Sequence, residues 1–225
     1  MIKDPYSSVA RWYDTLFNSL NSSLVRKAIK LYPPLKHMSV LDIGCGTGSQ
    51  LLQYQKCGCK LVGVDMSEAM LKVARDKLGT DPQLHLQDAE DLPFAEESFD
   101  LVTATLVLHE MDPPVRSQVL LEARRVLKVD GRILITDYHR VPLRFPQGWW
   151  IRVASTLAEI AAGRRHYRNY RHFIRHGGLP ELIAGPGLKL EQIKITGGGN
   201  LAQFLLSKDS TVMTSELHNH KENQK

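Results

Sequence analysis

Cysteine is scarce in this 225-residue chain, and the three present, Cys45, Cys57 and Cys59, form neither a C-x-x-C pair nor a zinc-finger spacing. Their odd number excludes a closed disulfide framework and points to a reducing compartment. No apolar run approaches the ~20 residues of a membrane span. The opening MIKDPYSSVARWYD lacks the apolar core of a secretory signal, so a cytoplasmic protein is expected. Internal repeats are also missing. With 43% hydrophobic residues, the chain instead suits one well-filled core.

Residues 40–48 read VLDIGCGTG, an apolar strand that ends in Asp42 and turns through Gly44, Gly46 and Gly48. Glycine has no Cβ, so such a turn is expected to bring backbone amides close to a ligand. The dinucleotide fingerprint G-x-G-x-x-G is absent: the third glycine comes one residue early, and Ser49 stands where it should be. Asp42 would repel a pyrophosphate. It favours a ligand carrying an ammonium, a sulfonium or a ribose without phosphate. A second apolar run, LVGVDM at 61–66, ends in Asp65, a candidate acceptor for ribose hydroxyls. A third, within LHLQDAEDLPF at 84–94, ends at Asp88 beside Ala89, a side-chain acceptor next to a backbone donor that matches one edge of adenine.

The remaining pattern alternates helix and strand. One or two helices are expected over 7–31, ended by Pro33 and Pro34. Strands follow over 39–43, 60–65, 84–87, 99–105 and 132–138, with helices over 48–55, 67–78 and 113–127. Ser67 is the expected N-cap of the second of these and Asp112 that of the third. Two late strands, 188–196 and 200–207, should pair through Gly197, Gly198 and Gly199. This order predicts a mostly parallel sheet covered by helices on both faces, with the ligand beyond the carboxyl ends of the strands.

With these residues the chain resembles class I S-adenosylmethionine (SAM) dependent methyltransferases, specifically the small-molecule group that includes ubiquinone and menaquinone biosynthesis enzymes. The resemblance covers about residues 6–208. It implies a Rossmann-like α/β fold with a seven-stranded sheet and an antiparallel final hairpin. It divides the chain into an N-terminal helical lid (1–35), a SAM-binding domain (36–208) with a helical cap inserted at 139–180, and a tail (209–225) expected to be disordered. It also implies that Gly44, Gly46 and Gly48 approach the methionine part of SAM, with Asp42 organising hydrogen bonds and water near its ammonium. Asp65 would take both ribose hydroxyls, Met66 would pack on adenine, and Asp88 with Ala89 would read its edge. Tyr13, Cys45 and Thr105 complete the expected cofactor contacts.

Methyl transfer asks mainly that the acceptor be held in line, roughly 3 Å from an already activated donor. Where the acceptor must also lose a proton, His109, in TLVLHEMD, is the best-placed base, and the alternative is a histidine satisfied at a helix start. Tyr138 and His139, at the end of the fifth strand, are second choices. Tyr6 and Tyr13 either close over SAM or simply pack. Asp112-Pro113-Pro114-Val115 imitates the D-P-P-aromatic box of DNA amino-methyltransferases, but Val115 cannot stack on an extruded base, so a nucleic-acid partner is not expected. Glu110, Asp112 and Asp137 lack the spacing of a metal-dependent catechol-type site, and no metal is expected.

Residues 139–176 carry eight arginines, no lysine and one acid, Glu159, a net +7 in a chain whose total is +5. The basicity is therefore local. Arg164, Arg168, Arg171 and Arg175 share one helix face, with Tyr167, Tyr170 and Ile174 on a neighbouring one. With Phe145, Trp149, Trp150 and Ile151 upstream, a cap with an apolar inside and an arginine-rich outside is expected. Three uses stay open for it: a solvated lid, peripheral contact with a membrane surface, or arginines that hold an acidic substrate or RNA. The expected function is methyl transfer to a small-molecule acceptor, possibly a quinone or lipid. The alternatives are a non-catalytic SAM-binding module and an RNA or protein methyltransferase.

Overall fold

The computed structural model describes residues 10–140, 142–183 and 185–209, without the side chains of 11–20 and 147. Its elements run α1 (Ala10–Leu31), β1 (Ser39–Ile43), α2 (Ser49–Gln55), β2 (Lys60–Asp65), α3 (Glu68–Leu78), β3 (Gln83–Leu86), β4 (Phe99–Thr105), α4 (Pro113–Val126), β5 (Leu127–Tyr138), α5 (Gln147–Ala162), α6 (Arg164–Arg175), α7 (Leu179–Ile183), β6 (Leu188–Thr196) and β7 (Leu201–Lys208). Single 3-10 turns lie at Leu108–Glu110 and Gly197–Gly199. The strands form one seven-stranded sheet in the order β3-β2-β1-β4-β5-β7-β6. The first five run parallel, and β7 pairs antiparallel with both β5 and β6.

Strand side chains alternate between the two faces, and each face has its own core. Val40, Leu61, Leu101, Leu134 and Leu205 pack with Leu51 and Tyr54 of α2 and Leu71, Ala74 and Leu78 of α3. Leu41, Ile43, Val102, Ile133 and Ile135 pack instead with Val119, Leu120 and Ala123 of α4, Tyr170 and Phe173 of α6, and Leu179 and Ile183 of α7. The order reverses direction between β1 and β4, and that reversal opens a crevice at the carboxyl ends of the strands.

Most expected boundaries hold within a residue or two, and two points differ. Within the region where one or two helices are expected, Ala10–Leu31 forms one 22-residue helix whose Leu24, Val25 and Ala28 are buried. Gln203 Nε2 donates to the Leu24 carbonyl (2.9 Å) and Lys27 Nζ to Thr196 Oγ1 (2.6 Å), which tie its second half to the last two strands. β5 begins at Leu127, five residues before the expected start. The register slips between Phe99↔Leu127 and Leu101↔Arg132, and α4 runs directly into the strand. Gly131 makes this close fit, since a Cβ there would lie 2.8 Å from Leu127 Cδ1 and 3.0 Å from the Asp100 carbonyl. Asp112 occupies the N-cap of α4 without a side-chain cap bond. Pro114, at the second helical position, removes one of the two amides it would serve, and its carboxylate meets Arg165 at 2.7 Å instead. Ser67 does cap α3, accepting from the Met70 amide (3.1 Å).

Candidate active site

A cleft of about 720 Å³ lies over the strand ends and is walled by the loops after β1, β2, β3 and β4, by Asn21 and Val25 of α1, and by the start of α6. Among the expected cofactor residues, Asp42, Gly44, Cys45, Gly46, Asp65, Met66, Asp88, Ala89 and Thr105 all line it. Gly48 does not. Tyr6 and the side chain of Tyr13 lie outside the described residues.

The glycine turn works differently from the expectation that its amides face a ligand. Gly44 and Cys45 both donate to the Val64 carbonyl (2.9 and 3.0 Å), Gly46 donates to Asp65 Oδ2 (2.8 Å), and Gly48 donates to the Cys45 carbonyl (2.9 Å). The amides are thus engaged within the fold. Each of the three glycines sits at positive φ, which side chains resist. A Cβ on Gly44 would strike Val107 (2.5 Å), and one on Gly48 would strike Leu78 of α3 (2.6 Å), so Gly48 serves helix packing. Gly46 has nothing within 4 Å of that position and leaves open space on the cleft side.

With the amides occupied, acceptors dominate this part of the cleft. Asp65 is held by two backbone donors, Gly46 N on Oδ2 and Ser67 N on Oδ1 (2.8 Å each), which fix the carboxylate at the strand end. Asp42, almost wholly buried, accepts from Thr103 Oγ1 (2.7 Å) and Gln50 Nε2 (3.2 Å). Burial pushes its carboxyl up to about 7 against the Thr103 hydroxyl, and the charge of Asp65 adds to the rise. Gln50 is oriented in turn by Thr105 Oγ1, which donates to its Oε1 (2.7 Å). Such a carboxylate gains most from a cation. An ammonium beside Asp42 and ribose hydroxyls beside Asp65 fit these groups; a diphosphate does not. Asp88 Oδ1 accepts from the Glu90 amide (3.1 Å), which sets that loop, and Met66 stands exposed at the rim.

The cleft is also lined by the apolar Leu106, Val107, Met111 and Val115 and by Glu110, Asp112, Arg164, Arg165 and His166. Leu106 adopts φ 54°, in the left-handed region that a bulky side chain occupies only at a cost of about 1–3 kcal/mol, and this bend turns the chain back over the glycine loop. His166 Nδ1 lies 3.9 Å from Glu110 Oε2 at the cleft wall. Sequence reasoning missed this pair, because its members come from separate elements and only the docking of α6 brings them together. Arg116 makes that docking, donating to the carbonyls of Leu108 (2.8 Å), His109 (3.1 Å) and Asn169 (2.7 Å), while Asn169 Nδ2 donates to the Glu110 carbonyl (2.7 Å).

His109, expected as the base, is absent from the cleft lining. It is buried, with Nδ1 2.7 Å from Asp137 Oδ1 and Nε2 3.3 Å from Glu159 Oε1. Burial opposes its charge, but the charge and hydrogen bond of Asp137, joined by Glu159, prevail and raise the imidazolium to about 10. Both ring nitrogens then hold protons, and neither offers a lone pair. Asp137, itself fully buried, also accepts from the amides of Leu108, His109 and Tyr138 (3.0, 3.2 and 2.7 Å), so it fastens the 3-10 turn to the end of β5. Tyr138 donates to Glu159 (3.2 Å), and burial raises its phenol far above the usual range. His139 packs edge-on against Phe204, and desolvation lowers its pKa. Neither side chain lines the cleft.

The cap also differs from its expectation. α6 does turn Asn169, Tyr170 and Phe173 inward and its arginines outward. In α5 the polarity is reversed: Phe145 just before it, Trp149 and Trp150 are exposed, because the inward positions hold charged residues. Arg152 Nε donates to Asn200 Oδ1 (2.5 Å), and Glu159 takes the bonds from His109 and Tyr138. Among the described residues, no three His, Cys, Asp or Glu side chains converge as a metal site.

Comparison with known proteins agrees with this geometry. Residues 41–135 match a methyltransferase domain family. The chain is 32% identical over 213 residues to the ubiquinone/menaquinone biosynthesis C-methyltransferase UbiE of Cupriavidus metallidurans, covering 86% of each protein. It is 35% identical over 143 residues to the demethylmenaquinone methyltransferase of Clavibacter sepedonicus, an alignment that takes in 62% of this chain and 58% of that protein. A SAM-dependent methyltransferase from Aquifex aeolicus shares the fold, with a TM-score of 0.57 at 18% identity over 81% of this chain and 88% of the other.

Proposed function

Because this chain belongs to the class I SAM-dependent methyltransferases, we propose that it methylates a small, largely apolar acceptor such as a quinone or lipid ring. The observation that carries the reading is the lining of the cleft, which brings Asp42, Asp65 and Asp88 together with the apolar side chains of Leu106, Val107, Met111 and Val115. SAM supplies a methyl group already activated on a positively charged sulfur. Asp42 and Asp65 hold its ammonium and ribose, Met66 covers adenine, and Asp88 with Ala89 reads the adenine edge. Leu106, Val107, Met111 and Val115 exclude water and orient the acceptor, so that rate enhancement comes mainly from positioning. The proton released by the acceptor passes to His166, whose Nδ1 lies 3.9 Å from the Glu110 carboxylate. UbiE-type relatives, whose names specify carbon methylation in quinone biosynthesis, support an acceptor of this class.

Methyl transfer from labelled SAM to a reduced quinone tests the assignment of the base. His166→Ala should lower kcat about 10²-fold or more while leaving SAM affinity, read by calorimetry, within error. Undiminished turnover in His166→Ala would remove His166 from the mechanism.

A further inference from the structure

α5 carries only two charged residues, Arg152 and Glu159, and both are turned into the protein. Its outer face is left apolar: Trp150 is 73% exposed, Val153 48%, Leu157 61% and Ile160 49%, at spacings of three, four and three. These spacings place them on one side of a helix, continued at its start by Trp149 and by Phe145, 84% exposed. An amphipathic helix packed inside out leaves its apolar side without a partner among the described residues. The following helix, α6, joined through Gly163, presents a groove lined by Arg164, Tyr167, Arg168, Arg171, His172 and Arg175. Arg165 and Arg168 share Asp112, at 2.7 and 3.7 Å. Arg164, Arg171 and Arg175 have no carboxylate within salt-bridge distance among the described residues.

We propose that the α5–α6 cap is a docking surface for an anionic lipid bilayer, with the apolar side of α5 set into the head-group boundary and the α6 arginines on lipid phosphates. Charge selects this occupant. A second copy of the chain would bring another segment of net +7 against the first, whereas an anionic bilayer brings the opposite sign. RNA would satisfy the arginines but leave Val153, Leu157 and Ile160 uncovered, and aliphatic side chains are not stacking platforms. Tryptophan rings at the start of α5 suit the interfacial layer, where one part of the ring is apolar and the N–H is wet. No described helix is long and apolar enough to cross a membrane, so the contact is peripheral. The inference goes beyond methyl transfer and does not depend on the identity of the acceptor, although an apolar acceptor would reside in the same layer.

Flotation of the full chain with phosphatidylcholine vesicles, with and without phosphatidylglycerol, tests it. Binding should require the anionic lipid and weaken with added salt. Leu157→Glu should abolish it, and the double variant Arg171→Gln/Arg175→Gln should weaken it about 25-fold, from roughly fivefold per arginine. Both variants change exposed side chains, and calorimetry with SAM should show each of them folded and competent for the cofactor. Four results would overturn the proposal: no vesicle binding by the wild type, equal binding to neutral vesicles, binding unchanged in both variants, or a wild-type dimer that Leu157→Glu converts to monomer without vesicle binding.

Discussion

At the scale of single residues, Asp42 shows how burial tunes a carboxylate for a cationic ligand. Its folded-state pKa near 7 lies above the ordinary 3.8, so its neutral form stabilises the fold. That contribution is complete below about 4 and is lost as pH rises through about 7. Binding of an ammonium selects the ionised form, so SAM affinity should move in the opposite sense, rising roughly tenfold between pH 6 and 8. Calorimetry across that range should show the rise and a release of protons on binding, and Asp42→Asn should flatten both. A wild-type affinity independent of pH would separate Asp42 from the ammonium. Asp42, Asp65 and Asp88 were legible in the sequence, since an acid ending an apolar run falls at the mouth of a parallel sheet whatever the rest of the chain does. The direction of the Gly44, Cys45, Gly46 and Gly48 amides was not legible, because it depends on Val64 and Asp65 of the neighbouring strand.

At the scale of elements, the 3-10 turn after β4 and the cap helices are clamped by buried polar groups. His109 lies between Asp137 of β5 and Glu159 of α5, so one imidazolium ties the sheet to the cap. With its folded pKa near 10, the stabilisation is fully present below about 6.5 and is lost as pH rises through about 10. His109→Ala leaves two buried carboxylates without their cation and should cost about 3–5 kcal/mol at pH 7. Urea unfolding should show that deficit shrinking as pH passes 10, when the wild type loses the same charge. A constant deficit across that range would mean that His109 acts through packing alone. The HE pair after the fourth strand was visible in the sequence as a candidate, but which ring reaches the cleft was not. That is decided by Arg116 and Asn169, which seat α6 so that His166, rather than His109, meets the cleft. The inverted α5 was hidden for a related reason. Its periodicity marks an apolar face correctly, but periodicity cannot say whether that face turns toward the core when Arg152 and Glu159 find partners inside.

At the scale of the whole molecule, charge divides along the same line as the fold. The sheet and its strand-end acids form one wall of the cleft, and the basic segment 139–176 reaches it through Arg164, Arg165 and His166. Alternating strand and helix patterns made the parallel sheet readable in advance, and the Gly197–Gly199 turn did the same for the final hairpin. The part of the cleft proposed for the acceptor was less readable, since its walls are gathered from the β4 loop, the 3-10 turn, α4 and α6. The proposed methyl transfer from SAM to a small apolar molecule is checked by incubating the protein with methyl-labelled SAM and a cell extract, then separating lipid, small-molecule, nucleic-acid and protein fractions. Label should collect in the organic-extractable lipid and small-molecule fraction and depend on Asp65. Label confined to nucleic acid or protein, or absent from every fraction, would contradict it.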